Sequence, residues 1–151
     1  MPLLSRWCVR CALAYLIIGM GIGSWMLIQQ SRGHAAGAPW PALHAHLLLV
    51  GFFLLLVMGV AHWMFPRVSG TRPGRTGGWI AFWLVNAGLL LRVLAEPMVD
   101  HGHGTPWTWV LEAAAVLPTI GIAAFSITIL PRVRAAIDPE TARALRARVK
   151  D

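Results

Sequence analysis

Three histidines stand in one long apolar run, His44-Ala-His46-Leu-Leu-Leu-Val-Gly51, continuing through Gly59 and His62-Trp63 to Pro66. Hydrocarbon offers no water to an imidazole, so histidine at membrane depth needs a polar partner, a cavity or a metal. Further along the chain lie Arg92 and Glu96, then Met98, His101 and His103, then Glu112. Imidazole and thioether together suit copper, so His44, His46, Met98, His101 and His103 are candidate ligands of a copper or zinc site. Arg92 and Glu96 are four residues apart and can pair along one helix. Alternatively, Arg92 is a counter-ion for a buried anion.

The elements that must position these residues are helices. The chain has 151 residues, 57% of them hydrophobic and only 13% charged. A soluble domain carries about 25% charged residues. The apolar residues fall into four long runs, which predict transmembrane helices over about 7–30, 42–65, 77–98 and 106–130 in a single domain. A signal-peptide core is only about 7–15 residues, so the first run reads as a retained helix. Gly19 and Gly23 in it form a small-xxx-small pair that permits close packing. A kink is expected near Pro118. Residues 132–151 form a basic tail. Asp138-Pro139-Glu140 within it predicts the start of a short surface helix. Short connections between four helices predict an all-α, up-down-up-down integral membrane bundle.

The net charge of +7 is topological. Arg6 and Arg10, then Arg67, Arg72 and Arg75, then the tail with Arg132, Arg134, Arg143, Arg146, Arg148 and Lys150 would all share one side. Basic loops stay inside, which puts both termini in the cytoplasm of a bacterial-type inner membrane. Nucleic acid is not an expected partner. Membrane lipid, further copies in a homo-oligomer and a redox partner protein are. This orientation gathers His34, His44, His46, His101 and His103 on the outer side, with His62 alone inside. At about 100° per residue, His44, Gly51 and His62 share one face of the second helix and His46 points the other way. Glycine on that face would admit a neighbouring helix or a flat cofactor. Gly88, Arg92 and Glu96 form one stripe, and Glu112, Thr119 and Ser126 another. Both stripes are expected to face the bundle interior. Cys8 and Cys11 make a lone CxxC with no following histidine, so no c-type haem attachment is read there.

The stretch from His44-Ala-His46 through Gly59 to Pro66-Arg67 resembles the second helix of haem-copper oxidase subunit I. It is similar, too, to nitric oxide reductases and the NnrS-type haem proteins. The resemblance implies a single b-type haem with His44, by position, as an axial ligand, and leaves His46 open. Arg92 would then meet a propionate, with Glu96, His101 and Glu112 as further candidates around the cofactor. The second axial ligand could be His101, His103, Met98, a residue of another protomer, or none. This chain has no adjacent His-His pair and no His-Pro-Glu-Val-Tyr stretch. The resemblance therefore does not extend to a binuclear centre that reduces oxygen or nitric oxide. It implies electron transfer or binding of nitric oxide or another diatomic gas. An accessory subunit whose polar groups satisfy one another is the remaining alternative.

Overall fold

The computed structural model describes residues 1–34, 36–65 and 75–134, without the side chains of Arg75 and Arg134. The loop arginines Arg67 and Arg72, and the tail with its expected surface helix, lie outside the described residues. Those residues form four helices and no strand: α1 (Leu3–Ser31), α2 (Trp40–Met64), α3 (Arg75–Asp100) and α4 (Gly104–Arg134). Each helix is long and apolar enough to cross a membrane, which makes the chain a multi-pass membrane protein by length and composition. α4 does not stop at Leu130. It runs through Pro118 and Pro131 to Arg134. A proline removes one backbone hydrogen bond, a loss that packing against neighbours can offset.

Glycines set the distance between α1 and α2. The His44 ring lies over Gly23, Leu48 over Gly19, Tyr15 over Gly51 and Cys8 over Gly59. Residue numbers rise along one helix as they fall along the other, so the contact runs in opposite senses. A Cβ on Gly51 would stand 2.7 Å from Tyr15 Cγ, and one on Gly23 would stand 2.6 Å from His44 Cε1. Only a hydrogen fits at these two positions. The small pair Gly19 and Gly23 thus receives side chains of α2, the packing its spacing permits.

The most extensive contact joins α3 and α4. The Pro118 ring fills the place where Gly88 lacks a side chain, and Gly121 sits against Val85 and the Ala81 carbonyl. At the far end of this seam, Gly77 meets Thr128. Between the pairs lies a core of Leu4, Cys8, Tyr15, Leu55, Phe82 and Val85, among others. One hydrogen bond crosses it: the Tyr15 hydroxyl donates to Asn86 Oδ1 at 3.0 Å, and Asn86 Nδ2 donates to the Phe82 carbonyl at 2.8 Å.

Two expectations about facing differ from the structure. His44 and Gly51 face α1, but His62 is turned toward Gly78 of α3 and Arg132 of α4. The cause is the π-helical stretch Leu47–Leu54 in the middle of α2. Its wider turns advance each residue by less than 100°, so phase counted across it drifts. On α4, Glu112, Thr119 and Ser126 do not face the interior. All three are exposed, and the two hydroxyls donate back to the Ala115 and Ile122 carbonyls. The packed face carries Ala114, Pro118, Gly121 and Arg132 instead.

Leucine at Gly51 should destabilise the protein by about 1–3 kcal/mol through overpacking. Leucine at Gly21, where a Cβ would meet nothing within 4 Å, should leave it unchanged. Thermal unfolding in detergent reads both. Equal effects at the two positions would mean that the α1–α2 contact does not rest on glycine.

Candidate functional site

His44 and His46 sit one turn into α2, and their rings leave the helix on different sides. The His44 Nδ1 lies 2.8 Å from the Gly19 carbonyl of α1. The His46 Nδ1 lies 2.9 Å from the Ala42 carbonyl in its own helix. A carbonyl only accepts, so Nδ1 carries the hydrogen in both rings. The Nε2 lone pair of each neutral ring is then the one left for a ligand. This is the arrangement in which a backbone carbonyl orients a ligating histidine. Both rings are half-buried.

The surroundings of the two rings differ. α1 occupies the glycine-bearing face of α2 where a flat cofactor could have lain, with His44 over Gly23 and Tyr15 over Gly51. His46 instead lines a cleft of about 190 Å³ between α2, α3 and α4, with Gly88, Arg92, Pro118 and Thr119. Arg92 makes a bidentate ion pair with Glu96, Nε to Oε2 at 3.0 Å and Nη2 to Oε1 at 3.2 Å. Glu96 also borders a shallow hollow of about 340 Å³ with Pro39, Ala42, Asp100 and Leu111, at the same end of the bundle.

The remaining candidates are not drawn in. His101 donates from Nδ1 to the Pro97 carbonyl at 2.6 Å and is exposed, as are His103, Met98 and Glu112. Among the described residues, no three His, Cys, Asp or Glu side chains come together as a metal-holding group. The five-residue ligand set His44, His46, Met98, His101 and His103 is therefore not assembled. Two of its members are turned to opposite sides of α2.

The donor chemistry at His46 suits a haem: a free Nε2 beside a guanidinium that could meet a propionate. The enclosed space does not. Sites that enclose an organic ligand measure about 300–1,000 Å³, and this cleft is smaller. One chain as described does not enclose such a group there.

No known protein family, curated protein or solved structure matches the chain.

Two polar groupings escaped the reading of the sequence. One is the Tyr15–Asn86 bond; a lone asparagine in the apolar run of α3 was its signal. The other is at the opposite end of α2. Arg132, fully buried, reaches the end of α2: Nη1 donates to His62 Nδ1 at 3.2 Å and Nη2 to the His62 carbonyl at 2.8 Å. It donates to the Phe65 carbonyl as well. A helix leaves its last carbonyls without partners, and a cation there is favoured by the helix dipole. Since guanidinium has no lone pair, His62 Nδ1 must accept, which fixes that ring's tautomer. His62 and Arg132 are thus a clasp between α2 and α4. The signal was an arginine directly after a proline, which reads as tail until the helix is seen to continue.

Arg132→Met should cost about 1–3 kcal/mol by stranding buried carbonyls. Arg132→Lys should recover only part of it, because an ammonium lacks the planar fork. Thermal unfolding of both variants in detergent decides this. Full recovery by lysine would mean that charge alone, not the several-point grip, holds the two helices.

Proposed function

We propose that this chain is a small multi-pass protein of a bacterial-type inner membrane that carries one b-type haem. Its bundle runs up-down-up-down, with both termini in the cytoplasm and His44 and His46 toward the periplasmic side. The haem would serve electron transfer or the binding of nitric oxide or another diatomic gas. The observation that carries this reading is His46, with Nδ1 tied to a carbonyl and Nε2 left for a ligand at a cleft with Arg92. That cleft in one chain is too small to enclose a haem, so the group would lie at the cleft's open side, against a second protomer. The resemblance of the α2 signature to haem-copper oxidase subunit I supports the same end of the same helix.

Position in that signature points to His44, but surroundings favour His46. His44 is committed to the α1 contact, where its ring and the Gly19 carbonyl bind the two helices. A bound haem supplies reversible one-electron chemistry and an iron able to take a diatomic ligand. The protein's part is to hold and orient it. Arg92, its charge met by Glu96, would offer a propionate a remaining guanidinium N–H, and Glu96 holds that guanidinium in place. A metal-only copper or zinc site lacks comparable support among the described residues.

Visible spectra of the purified protein, oxidised and then reduced, test this reading. A Soret band with b-type bands is expected from haem-replete cells. His46→Ala should abolish the bands. His44→Ala should lower stability and leave the folded fraction coloured, and His62→Ala should leave haem content unchanged. A colourless wild-type protein would remove the proposal. Loss of haem only in His44→Ala would move the ligand to His44.

A further inference from the structure

α4 is the least covered helix of the bundle, with only 11% of its most apolar stretch buried. Its free side is not purely apolar. Glu112, Thr119 and Ser126 recur every seven residues there, with Ala115 beside them, and all four are exposed. At 100° per residue they fall within about 60° of one another. α4 has 31 residues, so it is about 46 Å long against a hydrocarbon core of about 30 Å. With the helix centred on that core, Glu112, eight residues in from Gly104, falls just inside its edge. It has no hydrogen bond or ion pair among the described residues. Membrane carboxylates are found facing protein or water and paired, not facing lipid.

The partner it lacks is present at the same depth. Gly88 of α3 meets Pro118 of α4, so Arg92, one turn on, lies about level with Ala114 and within a turn of Glu112. Arg92 spends Nε and Nη2 on Glu96. Its Nη1 has no hydrogen bond among the described residues. Arg92 opens into the cleft with His46, and the rim of that cleft is Ala115, Thr119 and Ile122 of α4. The rim belongs to the same side of α4 as the exposed polar stripe. A unit that covered the stripe would also close the cleft.

We infer that a second copy of this chain docks along the Glu112–Thr119–Ser126 side of α4, so that the Glu112 carboxylate of each copy accepts from Arg92 Nη1 of the other. A two-fold axis along the membrane normal keeps the two α4 helices at one depth. It makes the contact self-complementary, giving two identical Glu112–Arg92 pairs. Ala115 and Thr119 are small enough for the helices to approach, and the hydroxyls add interhelical hydrogen-bonding capacity. The His46 cleft, open at its rim in one chain, then gains a wall from the other copy. The contact stands whatever the cleft holds.

The test is disulfide cross-linking of Thr119→Cys in native membranes, in the full chain with Cys11 changed to Ser. Wild-type charges should give a covalent dimer. Glu112→Gln, a neutral change at an exposed position, should lower the cross-linked fraction several-fold with unfolding temperature unchanged. Glu112→Lys should lower it about tenfold or more, because lysine would face the other copy's Arg92. Co-expression with Arg92→Glu should restore cross-linking to Glu112→Lys, since that mixed dimer contains one reversed pair and one native pair. Absence of a cross-link in the parent, an unchanged yield in Glu112→Gln, or no restoration in the mixed dimer would each overturn the inference. None of these readouts depends on a haem spectrum, so failure here and failure of the haem reading remain distinguishable.

Discussion

A polar group inside hydrocarbon must find its partner within the protein, since lipid offers none. The rest of this structure follows from that requirement. Most polar residues of the spans that are buried or half-buried are answered across or along a helix; the buried hydroxyl of Ser5 in α1 has no partner among the described residues. His44 reaches the Gly19 carbonyl and Tyr15 reaches Asn86. Arg92 holds Glu96, and Arg132 clasps the end of α2. Such bonds are short-ranged, so the helices must come close to make them. Glycine is the means: Gly23 admits the His44 ring and Gly51 admits Tyr15 beside its own bond to Asn86. Between apolar helices in apolar solvent, close packing and these few hydrogen bonds supply the attraction that water would otherwise provide.

The same requirement separates the two neighbouring histidines. His44 is consumed by helix packing, while His46, bonded through Nδ1 within its own helix, lines a cleft that also holds Arg92. Spacing of two residues on a helix turns them by about 200°, which is enough to give adjacent identical side chains different work. A scaffold of four helices has few interior positions. It assigns one face of α2 to α1 and the other to the cleft shared with α3 and α4.

The partition also explains why α3 is central and α4 is peripheral. α3 gives Asn86 to α1, Gly88 to α4 and Arg92 to the cleft, so its sides are spoken for. α4 packs on α3 through Pro118 and Gly121 and touches α2 through Arg132. Its other side carries Thr119 and Ser126, bonded only to carbonyls of their own helix, and Glu112, which has no partner among the described residues.

The sequence by itself determined the four membrane-length helices, because a run of apolar residues is a local property that needs no neighbour to be read. It also determined the opposite facing of His44 and His46, the four-residue spacing that puts Arg92 within reach of Glu96, and the openness of Gly19 and Gly23 to close packing. These all lie within one or two turns, where a fixed 100° step is reliable. Only the tertiary structure decided the rest. The π-helical stretch turned His62 away from the face of His44, because winding error accumulates over the turns between them. Proline did not end α4, because the clasp from Arg132 to α2 lies beyond it. The stripe Glu112–Thr119–Ser126 has a heptad period that fits an inward or an outward face equally well. The packed contacts of Gly88 and Gly121 chose outward, since α3 can approach α4 closely only where Pro118 and Gly121 lie.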